Sequence, residues 1–286
     1  MPGRRPPLPH AIEVPSNRFL LHPLADRLVG PAIAAGVSAN LASLAGLGFG
    51  LLAALAYVHW EDWPFAIAGW LLMLGWHLLD GLDGRIARAT GTASPFGRFL
   101  DGFADYGVFV LVHVALALSL PDPLAALLLA VAAGIAHAVQ SAFYEARRAS
   151  WYRRLGGDFT VAPRPAVGGP VERLYNWLEA RLGHRATAFD HWLAAAGAAV
   201  RTQMVGAWAS AVLPVMRLMW CLSANARTHV ILLACLMGDP RLAWWWELLV
   251  LSPLALGCGL ALGRAERLDS GRGPATQPVA GPPPAA

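Results

Sequence analysis

Long apolar runs broken by short polar punctuation set the pattern of this chain. Six runs stand out: Gly30 to Val58, Trp63 to Arg85, Phe99 to Leu120, Pro123 to Tyr144, Ala209 to Met237 and Leu242 to Leu262. At about 1.5 Å of rise per residue, each is long enough to cross about 30 Å of hydrocarbon. The prediction is an all-α integral membrane protein with six transmembrane helices. Asn17 to Val29 sets Phe19, Leu20, Leu24 and Leu28 on one side and Arg18 and Arg27 elsewhere, which suits an amphipathic helix lying in the membrane interface. The stretch from Val171 to Leu178 repeats that stripe and predicts a second interfacial helix. Pro214, Arg217 and Arg227 leave the start of the fifth run poorly marked.

These boundaries divide the chain into a polar arm with an interfacial helix (1–29), spans one to four (30–154), an insertion (155–208), spans five and six (209–268) and a Gly- and Pro-rich tail expected to be disordered (269–286). The first residues are rich in Pro and Arg without an apolar core, so no cleavable leader is expected.

Composition agrees with the pattern. The chain is 56% hydrophobic and 14% charged, with a mean hydropathy of +0.47, whereas soluble domains carry about 25% charged residues. Cys221, Cys235 and Cys258 are scattered through apolar runs, which argues against a disulfide framework or a zinc site. All 22 basic residues are arginine, and their placement predicts orientation. Arg4, Arg5, Arg18 and Arg27 precede the first span, Arg85, Arg88 and Arg98 flank the turn after the second, Arg147, Arg148, Arg153 and Arg154 follow the fourth, and Arg264, Arg267 and Arg272 follow the sixth. On the opposite connections only Arg241 appears. By the positive-inside rule both termini face the cytoplasm. Trp60, Trp63 and Trp244 to Trp246 are then expected in the far interfacial belt.

The chemistry lies between the second and third spans. Asp80, Asp83, Gly84, Ala87, Arg88, Gly97, Asp101 and Asp105 read as D-x2-D-G-x2-A-R-x8-G-x3-D-x3-D. Asp80 and Asp83 are three apart, Asp101 and Asp105 four apart, so each pair shares a helix face. A turn between the pairs brings four carboxylates together at the ends of apolar helices, where unpaired charge is costly. Such a cluster repels itself unless cations sit in it, and an all-oxygen donor set suits Mg²⁺, Mn²⁺ or Ca²⁺. Gly84 and Gly97 permit close backbone approach, and Arg88 offers a planar fork to a phosphate. The expectation is a metal and phosphate site, with two ions.

This constellation resembles the CDP-alcohol phosphotransferase (CDP-alcohol phosphatidyltransferase) family of membrane enzymes, with all eight motif positions matched. The resemblance implies transfer of a substituted phosphate from a CDP-linked donor to an alcohol, with release of CMP and dependence on Mg²⁺ or Mn²⁺. It further implies that Asp80 and Asp101 contact both ions, Asp83 the first and Asp105 the second. Asp105 would also take the proton of the acceptor hydroxyl. Gly84, Ala87, Arg88, Ser94 and Gly97 would form the nucleotide site, and the protein would be a homodimer. A multi-pass place in a bacterial inner membrane, an active site facing the cytoplasm and no nucleic-acid partner complete the expectation.

The acceptor is less legible. His137, Gln140, Ser141 and Tyr144 recur at three or four residues on the fourth span, and Arg147 and Arg148 continue the stripe. His137, Gln140, Tyr144, Arg147 and Arg148 are candidate acceptor contacts, against ordinary hydrogen bonding between helices. The donor with a lipid end, CDP-diacylglycerol, is the leading reading. The alternative is CDP-choline or CDP-ethanolamine with a lipid acceptor. An aspartate-rich prenyltransferase would show two separated acidic motifs and a transporter would show acidic residues near midplane with repeat symmetry. The pairs Gly46/Gly50 and Gly259/Gly263 have helix-packing spacing and are expected to pack spans within one bundle.

Overall fold

The computed structural model describes residues 9–161 and 186–271. All regular elements among them are helical. The principal helices are α1 (His22–Ala34), α2 (Ala39–Tyr57), α3 (Trp63–Thr90), α4 (Pro95–Leu118), α5 (Pro123–Leu155), α6 (Ala188–Ala195), α7 (Ala198–Leu218), α8 (Ala224–Leu236), α9 (Arg241–Trp246) and α10 (Ser252–Gly271). Six stretches are long and apolar enough to cross a membrane: α2, α3, α4, α5, Ala198–Leu222 and Arg241–Arg267. The chain is a multi-pass integral membrane protein.

Local chemistry sets the breaks. Gly36 takes φ 75° after α1, a left-handed conformation that glycine adopts without Cβ strain. Ser38 then caps α2, accepting from the Leu41 N–H at 3.2 Å. The first span therefore begins at Ala39 rather than Gly30, and α1 is a separate helix. α3 ends in a left-handed Gly91 (φ 66°). Ser94 and Pro95 restart the chain as α4, with the Gly97 N–H donating to Ser94 Oγ at 3.0 Å. Asp122 caps α5 through the Ala125 N–H at 3.2 Å.

The fifth run is not one helix. A 3-10 turn, Met219–Leu222, ends α7, and Ser223 caps α8. The buried Arg227 explains why the chain bends there. It pairs with Glu247 at 2.9 Å, donates to Gln140 at 2.9 Å and Ser141 at 3.2 Å, and also bonds the Leu222 carbonyl. A charge in an apolar interior needs such partners, and a straight helix would not present it to all of them.

α2, α3 and α4 pack together, and glycine permits it: Gly46 lies against Trp76 and Gly50 against Val108. On the last helix Gly259 lies against Phe143 of α5. Gly46, Gly50 and Gly259 pack spans within the bundle, as expected, whereas Gly263 faces only Arg267 of its own helix. One core gathers Tyr57, Met73, Trp76, Val112, Leu116 and Trp244. A second gathers Ile12, Trp151, Phe189, Trp208, Met216 and Leu251. Ile12 and Val14 of the arm are buried, so the arm is not wholly polar. Phe19, Leu20 and Leu28 are exposed as an interfacial stripe requires, although Asn17–Leu21 is a π-helical turn leading into α1. Trp63 and Trp245 are exposed, but Trp60 and Trp244 are buried. Trp60 donates to Ser119 at 3.0 Å and Trp244 stacks on His113, so these two rings serve the bundle rather than the lipid belt. The helix expected from Val171 to Leu178 and most of the expected 269–286 tail lie outside the described residues, while α10 continues to Gly271.

Candidate active site

The end of α3 and the start of α4 face each other across the Gly91–Ser94 turn, and this brings the aspartates together. One carboxylate oxygen from each of Asp80, Asp101 and Asp105 lies within 4.8 Å of the others. Asp80 is within hydrogen-bond reach of both Asp101 and Asp105, and Asp83 is within reach of Asp101. Asp83 is buried and accepts a hydrogen bond from Ser43 Oγ of α2. Three carboxylates this close, with no arginine paired to them among the described residues, are electrostatically unfavourable alone. The donor set is all oxygen, as hard divalent cations prefer. The residues fit the expected ions.

The phosphate side is equally local. A Cβ on Gly84 would stand 3.3 Å from the Arg88 guanidinium, so glycine lets Arg88 fold back along its own helix. Arg88 is exposed and has no ion-pair partner among the described residues. Its neighbour Arg85 is committed: it bonds Asp26 of α1 at 2.6 Å and the Gly81 carbonyl at 2.6 Å. The hydrogen bond from Arg85 holds the Asp26 carboxyl below the usual carboxylate range. A Cβ on Gly97 would meet Ser94 Oγ at 3.2 Å and Asn40 Oδ1 at 3.3 Å. Ser94 is thus a helix cap whose hydroxyl hydrogen remains available for a ligand. Ala87 lies one turn beyond Asp83 on the same helix.

Two residues of α2 escaped the sequence reading. Asn40 and Ser43, three apart at the start of an apolar span, sit against Gly97 and Asp83. The signal was present: polar residues one turn apart where a membrane helix begins share a face.

The stripe on α5 splits. Gln140 donates to the Glu247 carbonyl at 3.1 Å and to Ser252 at 3.0 Å, and accepts from Arg227. This is hydrogen bonding between helices and uses the whole amide. His137 lies edge-on to Phe109, with ring centres 4.4 Å apart. The Tyr144 hydroxyl is buried without a hydrogen-bond partner among the described residues. Arg147 lies over the Phe143 ring and 3.7 Å from Glu266, whereas Arg148 bonds Glu145 at 2.9 Å.

Residues 36–155 match the family model described as CDP-alcohol phosphatidyltransferase. The chain is also 40% identical over 58 residues to CDP-diacylglycerol–serine O-phosphatidyltransferases from two strains of Helicobacter pylori, J99 and 26695. Each match covers 20% of this chain and 24% of the relative, so the chain aligns with about a quarter of the length of these proteins. No solved structure matches the chain significantly.

Proposed function

From the premise that residues 36–155 form a CDP-alcohol phosphatidyltransferase domain, we propose that this protein transfers a phosphatidyl group from CDP-diacylglycerol to an alcohol hydroxyl and releases CMP. The observation that carries the reading is the convergence of Asp80, Asp101 and Asp105 from two helices beside Asp83 and Arg88. The two relatives are CDP-diacylglycerol–serine O-phosphatidyltransferases, which supports serine as the acceptor.

Asp80, Asp83, Asp101 and Asp105 would hold Mg²⁺ or Mn²⁺. When bound, such ions neutralise the diphosphate and stabilise the departing CMP oxyanion. Arg88 would grip the diphosphate bidentately beside Gly84 and Ala87. Ser94 and Asn40, flanking Gly97, would hydrogen-bond the nucleotide. Asp105 would take the proton of the acceptor hydroxyl as that oxygen bonds to the lipid-bearing phosphorus and the bond to CMP breaks. Phosphoryl-type transfer needs positioning and charge stabilisation more than covalent chemistry, and α3 and α4 supply both.

The acceptor would approach from the α5 side. His137, Tyr144, whose hydroxyl has no partner among the described residues, Arg147 and Arg148 are the candidates that remain once Gln140 is assigned to the helix network. The bundle order supports a cytoplasmic site. With helices alternating in direction, the ends of α3 and α5 and the start of α4 fall on one side of the bundle, where Arg154 of α5 also pairs with Glu266 of α10, and these ends and that of α10 carry Arg85, Arg88, Arg98, Arg147, Arg148, Arg153, Arg154, Arg264 and Arg267. The opposite end carries Arg241, paired with Asp239 at 2.8 Å. A homodimer is the expected assembly. The deciding experiment offers CDP-diacylglycerol to purified protein with serine, glycerol phosphate, inositol phosphate or no alcohol. Acceptor-dependent CMP release is expected, and its absence with every alcohol would refute the proposal.

A further inference from the structure

One ion pair stands beside the clustered aspartates. Glu145 of α5 lies within electrostatic reach of Asp105 on α4, where the two spans pack together. Arg148, one turn on, donates from Nη1 to both Glu145 carboxylate oxygens, at 2.9 Å and 3.0 Å. Its guanidinium also lies over the Tyr152 ring, 5.9 Å from the centre, and within hydrogen-bond reach of that hydroxyl. The Tyr144 hydroxyl is buried without a partner among the described residues, within electrostatic reach of both charges. Tyr144, Glu145, Arg148 and Tyr152 share one face of α5.

This pair is poorly placed to be a structural bridge. A further carboxylate next to Asp80, Asp101 and Asp105 adds to a repulsion that the cluster already carries. The Glu145 and Arg148 side chains are 58% and 38% exposed, and a solvated ion pair contributes little to stability. It can therefore part at small cost when a ligand offers each half a new partner. The buried Tyr144 hydroxyl gains from the same event, because an unpaired polar group costs free energy. Arg147 is turned elsewhere, over Phe143 and toward Glu266.

We propose that Glu145 and Arg148 select the acceptor: Glu145 takes the ammonium group and Arg148 the carboxylate of one small zwitterionic amino alcohol, with the Tyr144 hydroxyl donating to that carboxylate. The inference rests on the transferase reading above and adds the residues that choose among alcohols. Such a ligand replaces each half of the ion pair with a group of the same charge, so the balance beside the aspartates is conserved. Few bonds separate the hydroxyl of a 2-amino-3-hydroxy acid from its ammonium group, so a hydroxyl presented to Asp105 leaves the ammonium group on the Glu145 side. A phosphate-bearing acceptor would meet Glu145 as a like charge, and Arg147 and Arg148 each already face a carboxylate. An amino alcohol without a carboxylate would take the partner of Arg148 and return nothing to it.

The test supplies the full-length protein and CDP-diacylglycerol with serine, with ethanolamine, which lacks the carboxylate, or with glycerate, which lacks the ammonium group. Wild type should favour serine over either analogue by at least about tenfold in kcat/KM. Glu145→Gln should lose at least about tenfold of the preference over glycerate and keep the preference over ethanolamine. Arg148→Gln should do the reverse, and Glu145→Asp and Arg148→Lys should recover part of what each Gln variant loses. A structural bridge cannot give this crossed pattern, because its loss lowers all acceptors alike. Equal losses toward all three would overturn the inference, as would a wild-type preference for glycerol phosphate over serine. So would a Glu145→Gln protein whose one change is a raised Mg²⁺ midpoint, which would make Glu145 a metal ligand. Serine binding seen by calorimetry and lost in both Gln variants, without CMP release from any alcohol, would instead sink the proposed reaction and leave the amino-acid site.

Discussion

Ser43 of α2 donates its hydroxyl hydrogen to the carboxylate of Asp83 on α3. The two residues are 40 apart in the chain and meet because α2 packs lengthwise on α3. Ser43 orients the Asp83 carboxylate, a ligand in the proposed metal site, and such supporting bonds typically contribute about 10–100-fold to metal affinity. Ser43→Ala should raise the Mg²⁺ concentration for half-maximal CMP release about tenfold or more, while Ser43→Thr largely restores it. An unchanged Mg²⁺ midpoint in a folded Ser43→Ala protein would separate Ser43 from the site.

The carboxylates themselves make a broader prediction. CMP release should vanish in chelator and return with Mg²⁺ or Mn²⁺. Asp80→Ala and Asp101→Ala should abolish turnover and lose the thermal stabilisation that bound metal gives the native state. Release that continues undiminished in chelator would defeat the metal reading.

Much of this site was legible in the sequence because its residues are close in the chain. Spacing on α3 and α4 placed the aspartates on facing surfaces, and Gly91 and Ser94 mark a short turn between two capped helices. Most of the apolar stretches were legible for the same reason, since span length is a local property, but the fifth lies over Ala198–Leu222, starting inside the expected insertion, rather than over Ala209 to Met237. What stayed hidden depends on distant partners. The run from Ala209 to Met237 reads as one span with a poorly marked start, and its break at Ser223 appears only when Arg227 meets Glu247, 20 residues on, and Gln140, 87 residues back. Gln140 and His137 lay on one stripe, yet the first turns to a helix network and the second packs edge-on to Phe109, and periodicity alone cannot divide them.

The most buried ion-pair cluster among the described residues lies away from the candidate active site and should govern stability. Arg154 bonds Asp190 at 2.8 Å and 3.1 Å, Glu266 at 2.7 Å and Thr187 at 3.0 Å, between the rings of Phe189 and Trp208. It ties α5 to α6 and α10. Arg154→Met would leave the buried Asp190 carboxylate with Arg153 as its one cationic partner, so its cost should approach but not exceed about 3–5 kcal/mol, that of a broken buried ion pair, read as a fall in Tm.

The same cluster predicts an acid limit. Burial pushes the Asp190 carboxyl up, but Arg154, the Thr187 N–H and Arg153 together hold it well below the usual carboxylate range. A folded pKa below the unfolded value of about 3.9 means the stabilisation is complete above that value and is lost as pH falls through the folded pKa. The loss of Tm from about pH 5 to about pH 3 should therefore be shallower in Asp190→Asn than in the wild type. Equal slopes would show that other carboxylates set the acid limit.

Orientation is tested by single cysteines at exposed positions at opposite ends of the bundle, in a background where Cys221, Cys235 and Cys258 are replaced. Glu61→Cys should react with an impermeant maleimide on intact cells. Ser94→Cys should react only after the membrane is opened. The reverse pattern would put the carboxylates outside, where a cytosolic donor could not reach them.

Asp105 is the carboxylate to which the proposed mechanism gives two tasks, holding an ion and accepting the proton of the attacking hydroxyl. Asp105→Asn separates them, because the amide keeps an oxygen that can ligate but cannot take up a proton at neutral pH. A positioned general base contributes about 10²–10⁴ in rate. The variant should bind CDP-diacylglycerol almost normally with Mg²⁺ present, yet turn over at least about a hundredfold more slowly. Calorimetric donor affinity set beside the rate of CMP release distinguishes the outcomes. Turnover near the wild-type rate would remove Asp105 as the base. Lost donor binding would make it chiefly a metal ligand, and the proton would then have to leave through another of the clustered aspartates, of which Asp80 and Asp101 are the nearest.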